Sequence, residues 1–117
     1  MHQKMKISRG LRNNNPLIIR RNGTKWKGLS ETQSDKEFFS FIDASWGYRA
    51  AFITLRNYFL RHSLKTLRGW INRWAPPVEN DTENYVRFVA GKSAVDADAE
   101  LCITDASLMQ RIVSAMS

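Results

Sequence analysis

Apolar side chains recur at helical spacing along residues 45–116, whereas the first thirty residues carry only short apolar runs broken by Gly, Asn and Pro. Tyr48, Phe52, Leu55 and Phe59 stand at i, i+4, i+7 and i+11, flanked by Ala51 and Tyr58, with Arg49, Arg56, Asn57 and Arg61 between them. That stripe predicts a central helix, opened by Asp43 or Ser45 and ended around His62-Ser63. Leu67, Trp70, Ile71 and Trp74 predict a shorter helix, stopped by Pro76 and Pro77 because neither can donate a backbone hydrogen bond. Asp81 or Thr82 is expected to cap a third helix with Tyr85, Phe88 and Val89 inward and Gly91 as its stop. After a polar, acidic loop, Thr104 is expected to cap a last helix that buries Leu108, Ile112, Val113 and Met116.

The N-terminal part follows another pattern. Residues 1–8 are polar and without period, a loose lead-in. Leu17 to Arg21, then Asn22-Gly23, then Thr24 to Lys27 form a hairpin signature, because Asn-Gly accepts the positive φ angles of a type I′ turn. Pro16 marks the first strand's entry by restricting the residue before it to extended geometry. Residues 37–41 could add a third short strand, although Ser34 and Glu37 also stand at capping-box spacing. The predicted fold class is therefore α+β and mainly helical: a small N-terminal β hairpin or sheet followed by about four helices, in a single domain over 9–117.

Composition changes this picture mainly through charge. The chain of 117 residues has room for one core, and its net charge of +7 is unevenly spread. Residues 1–30 hold eight Lys or Arg and no acid, while from Glu79 onward seven acids face only Arg87, Lys92 and Arg111. A basic face of this kind concentrates polyanions, whether nucleic acid, an anionic membrane or the anionic polymers of a bacterial wall. Nucleic acid ranks lower among these because no basic, aromatic-interleaved recognition motif is present. No signal peptide and no membrane span is legible, so the protein is expected to be cytoplasmic when synthesised. The lone Cys102 has no partner for a disulfide and no metal-ligand spacing, and is expected to be a buried apolar residue.

There is no phosphate loop, no His-Glu-x-x-His pair and no nucleophile elbow, and no metal or cofactor is expected. Two sets of carboxylates remain beside aromatic and amide side chains: Glu31, Asp35 and Glu37, then Glu79, Asp81 and Glu83. Glycoside cleavage uses such acids, one of them kept protonated by apolar surroundings that Trp26, Phe38, Trp46 or Trp74 could supply. For each acid singly a solvated surface role or a helix cap is the commoner explanation, and Asp81 and Glu83 are especially well explained as cap and first-turn residues. Asn13, Asn14 and Asn15 before Pro16 suggest either a loop that satisfies its own backbone or an amide-lined ligand groove.

The run Arg9-Gly10-Leu11-Arg12-Asn13-Asn14-Asn15-Pro16-Leu17, then Ile19-Arg20, Trp26-x-Gly28 and Asp35-x-x-Phe38-x-x-Phe41, resembles a phage and prophage family usually labelled virion structural protein. A second block continues the resemblance: Gly47 to Ala51, then Ile71-x-Arg73-Trp74-Ala75-Pro76-Pro77-x-Glu79-Asn80-Asp81-Thr82-x-x-Tyr85. The two blocks cover roughly residues 9–90. Where that family has Asn, this chain has Ile18. The family is distantly similar to lysozyme-like wall hydrolases, in which an Asn-rich turn precedes a small β region and later helices close the cleft.

What the resemblance implies is a lysozyme-like domain that binds peptidoglycan glycan strands and cleaves them when a phage enters or leaves its host. On that reading Glu79 or Asp35 is the general acid, and Trp26, Trp74 and Tyr85 are sugar-stacking walls. Asn14, Asn15, Asn80 and Asp81 bind substrate beside them. The alternative is a non-enzymatic virion or assembly component that keeps the fold and uses its basic face for contacts with virion proteins or DNA.

Overall fold

The computed structural model describes residues 9–78 and 80–117; the expected lead-in over 1–8 lies outside them. Among the described residues the helices α1 Ala44–His62, α2 Leu67–Trp74, α3 Thr82–Ser93 and α4 Ala106–Met116 follow one another. A helical turn over 9–12 precedes them. The described chain divides into two compact units, and the division falls within α1, between Ile53 and Thr54.

The expected α+β, lysozyme-like fold with an N-terminal hairpin is not what forms. Among the described residues the only extended pairing is two isolated antiparallel bridges, Arg20 with Phe38 and Leu29 with Phe41. A type I′ turn needs positive φ at both central residues, yet positive φ occurs here at Asn14, Ile18, Gly28, Ser63 and Ala94, and at neither Asn22 nor Gly23. Asn22 instead accepts a hydrogen bond from the Thr24 amide at 2.9 Å, a local side-chain turn that replaces the hairpin. Upstream, the left-handed Ile18 (φ 48°) breaks what would have been the first strand.

The backbone of 37–42 is used on several sides instead. Glu37 accepts from the Arg21 amide and Phe39 donates to Ile19. Ser40 accepts from Ser30, Phe41 donates to Asn13, and Ile42 donates to Gly28. Phe39, Phe41 and Ala50 form the apolar centre of this unit, with Ile19, Trp26, Leu29 and Trp46 packed against it. Gly28 has φ 81°, and a Cβ there would stand 2.1 Å from Cγ of Trp46, so the turn and the indole need a residue without a side chain.

Helix α1 covers the predicted central stripe but buries a different seam. Its buried positions are Gly47, Ala50, Ala51 and Leu55, while Tyr48 is exposed and Phe52 and Phe59 are half-buried. Gly47 lets the helix approach the Asn-rich turn, because a Cβ there would meet the Asn14 carbonyl oxygen at 2.7 Å and Pro16 Cδ at 2.8 Å. Asp43 caps the start, accepting from the Ser45 amide at 2.9 Å.

In residues 54–117, α3 packs on both α2 and α4. Leu67, Trp70, Ile71, Val86, Val89, Met109 and Ile112 are fully buried there. Thr66 caps α2 by accepting from the Gly69 amide, and the Trp70 indole donates to the Leu64 carbonyl. Three local expectations are corrected. Helix α3 runs through Gly91 to Ser93 and stops on the left-handed Ala94 (φ 57°); α4 is capped by Asp105, not Thr104; and Phe88 is exposed where Val86 is buried.

Candidate functional site

The polar residues singled out in the first unit converge on one carboxylate. The helical turn over 9–12 and the loop before Phe38 bring Arg9 and Asp35 together, with the Asp35 side chain almost wholly buried. Asp35 Oδ1 accepts from Arg9 at 2.5 Å, from the Glu37 amide at 2.8 Å and from the Phe38 amide at 3.1 Å. Its Oδ2 accepts from Arg9 Nε and from Asn13 Nδ2, both at 2.9 Å. Five donors favour the anion, and the Arg9 guanidinium leads them in holding the Asp35 carboxyl far below the usual carboxylate range, against the opposing effect of burial. Arg9 also donates to Glu37 at 2.8 Å and, as the leading cause, lowers that carboxyl too. Its guanidinium lies 4.6 Å over the Phe38 ring, with Arg20 5.2 Å from the same ring.

The three asparagines are consumed by the fold. Asn13 and Asn15 are buried. Asn13 donates to Asp35 and accepts from the Ser40 hydroxyl. Asn14 is left-handed and donates to the Phe41 carbonyl at 3.1 Å. Asn15 donates to the Ile19 and Phe39 carbonyls and accepts from the Ile19 amide, closing three backbone groups with one side chain. Of the two sequence readings of this turn, the self-satisfied loop describes these bonds. Trp26 is partly buried against the apolar centre, and its indole N–H is shielded without a hydrogen-bond partner.

The remaining predicted residues lie in the second unit. The Trp74 ring stands edge-on to Tyr58 at 6.5 Å, and Arg73 lies over Tyr58 at 5.2 Å. Asn80 donates to the Pro76 carbonyl, and Asp81 precedes α3 and accepts from Asn84. Tyr85 donates from its hydroxyl to the Met116 carbonyl, and burial pushes that hydroxyl up to about 12. Glu79 lies outside the described residues. Cys102, expected to be buried, is exposed with Sγ 3.3 Å from Thr104 Oγ1, a contact that lowers the thiol's pKa. It follows α3 in a loop with little apolar cover, so its apolar character alone does not bury it.

The structure thus joins Asp35 to Asn13 directly, and to Asn14 and Asn15 through residues 38–41. Sequence reasoning missed the arginines Arg9, Arg12, Arg20 and Arg21 as a group. Arg12 comes within 3.9 Å of Asp35, Arg20 within 3.6 Å of Glu37, and Arg21 donates to the Asp35 carbonyl at 2.9 Å. The available signal was an acid-free stretch of Lys and Arg upstream of two closely spaced acids.

No family model matches the chain. Over 97 residues it is 43% identical to Protein P5 of Pseudoalteromonas phage PM2, covering 80% of this chain. The chain is related to a phage protein. It spans 61% of the length of that relative. Among the described residues no helix is long and apolar enough to cross a membrane.

Proposed function

We propose that this chain is a non-enzymatic structural or assembly component of a phage, in which the Asn-rich turn and Asp35 build the fold and its basic surface serves contacts with other virion constituents. The observation carrying this reading is the hydrogen bonding of Asp35. A general acid must hold its proton near neutral pH, and a carboxylate accepting five donors, two of them from one guanidinium, is held as an anion. Asn14 and Asn15, which the peptidoglycan reading makes substrate ligands, donate to backbone carbonyls. Relationship to a phage protein agrees with this role, although the name Protein P5 specifies no activity.

Purified protein tested on isolated peptidoglycan is expected to clear no wall, and titration with glycan fragments is expected to leave its Trp fluorescence unchanged. Wall clearing by the wild type that disappears in Glu79→Gln would replace this reading with the hydrolase one. Co-sedimentation with particles after lysis is the positive expectation, and recovery solely in the particle-free fraction counts against a structural role.

A further inference from the structure

Around Asp35 and Glu37 the chain gathers more positive charge than those two acids can absorb. Arg9 takes both carboxylates. Arg21 is spent on two neutral carbonyls, those of Gln33 and Asp35, so its charge is not cancelled. Arg12 and Arg20 approach at 3.9 and 3.6 Å, beyond hydrogen-bond reach, and their side chains remain about two-thirds exposed (66% and 61%). Each is drawn to the cluster by charge while its guanidinium fork keeps its donors. Four guanidinium groups against two carboxylates leave a net charge of about +2 in this small patch. Over residues 9–37 as a whole, seven Lys or Arg, among them the exposed Lys25, Lys27 and Lys36, face the three acids Glu31, Asp35 and Glu37.

We propose that Arg12 and Arg20, posed around Arg9, Asp35 and Glu37, grip the phosphodiester backbone of nucleic acid without reading its sequence. A planar guanidinium fork matches two phosphate oxygens at once, so two forks tethered to one rigid cluster suit a polymer that repeats that group. The spread of further cations along 20–36 fits an extended polyanion better than a single phosphate. A lipid surface is the competing partner, but interfacial binding needs several apolar side chains beside the cations, and between residues 9 and 37 Leu11 is the one large apolar side chain that is exposed. The proposal rests on the non-enzymatic reading of the Asp35 cluster as a scaffold that takes no part in chemistry.

The test is fluorescence anisotropy with a short labelled duplex at several salt concentrations, comparing wild type, Arg12→Ala/Arg20→Ala and Arg56→Ala/Arg61→Ala. The last pair removes the same charge from exposed positions on α1. The first double variant is expected to weaken binding at least about tenfold and to reduce the slope of log affinity against log salt by about 2, one for each lost phosphate contact. The Arg56/Arg61 variant should change both far less. Far-ultraviolet circular dichroism checks that both variants stay folded, and Arg12→Lys/Arg20→Lys should restore most of the slope while recovering less of the affinity.

Equal losses in the two alanine variants would reduce the effect to net charge and overturn the proposal. So would a wild type that ignores the duplex, or one that binds phosphatidylserine vesicles better, with the same dependence on Arg12 and Arg20. Wall clearing is assayed on the same preparation. A protein that clears wall yet binds duplex through these arginines defeats the non-enzymatic reading and leaves this site standing; one that does neither defeats this site alone.

Discussion

Residues 9–53 and 54–117 become compact by different means. The later segment relies on helices whose apolar faces pack together, with Trp70, Ile71, Val86, Val89, Met109 and Ile112 fully buried. Two of its polar side chains cap helix starts, Thr66 for α2 and Asp105 for α4. The earlier segment has an apolar centre of Phe39, Phe41 and Ala50 beneath irregular backbone, and backbone groups that a sheet would have paired are satisfied by Asn15, Gln33 and Asp35. A helix satisfies its own backbone, so its side chains are free to pack. An irregular loop cannot, and there buried polar side chains take over the task that repetition performs elsewhere.

The sharpest way to break this comparison is to remove one side chain from each segment. Asn15→Ala strips three backbone groups of their partner and is expected to cost on the order of 3 kcal/mol, about as much as Ile112→Ala in the helical core. Denaturant unfolding measures both. A loss below about 1 kcal/mol for Asn15→Ala, within the usual range for one ordinary hydrogen bond, would mean the loop does not depend on its amides.

Asp35→Asn comes next, at about 2 kcal/mol, because Arg9 and two backbone amides lose an anionic acceptor. Its pH dependence has a fixed sign. The folded pKa of Asp35 is depressed, so the stabilisation is present above the unfolded value near 3.8 and is lost as pH falls below it toward the folded value. Acid titration should therefore destabilise wild type more steeply below pH ~4 than it does Asp35→Asn. Parallel profiles would sink the assignment.

Left-handed positions allow a gain in each segment. Ile18→Asn and Ala94→Gly each replace a residue ill-suited to positive φ and are expected to stabilise by about 0.5–1 kcal/mol, read as a higher melting temperature. A drop at position 18 would show that Ile18 packing outweighs its strain. The smallest effect is expected at Arg68, which pairs with Glu83 and Asp98 on the surface. Arg68→Ala should leave the denaturation midpoint within experimental error, since solvent and salt screen exposed pairs.

How much was legible in the sequence differs between the segments for the same reason. Period alone locates α2 at Leu67, Trp70, Ile71 and Trp74, and the tandem prolines confine its end. Spacing does not say which neighbour a helix will meet, so it favours Phe88 for the inward face where the folded helix buries Val86. In the first segment Asn22-Gly23 suggests a hairpin on local grounds, and the local side-chain turn at Asn22 displaces it. Asp35 reads equally well as acid, cap or surface charge until Arg9 stands against it, 26 residues away in the chain.

By itself, the sequence determined that helices occupy the stretch after residue 43, that the tandem prolines confine the end of α2 and that the N-terminal part is basic, since helical period, proline and net charge are properties of neighbouring residues. Tertiary structure decided that no hairpin forms, that Asn14 and Asn15 donate to backbone carbonyls while Asn13 bonds Asp35 and Ser40, and that Asp35 is held as an anion. Those outcomes turn on which donors and acceptors meet in the folded chain, from Asn22 with Thr24 two residues on to Arg9 with Asp35 twenty-six residues away, and buried polar groups take whatever partner comes within about 3 Å.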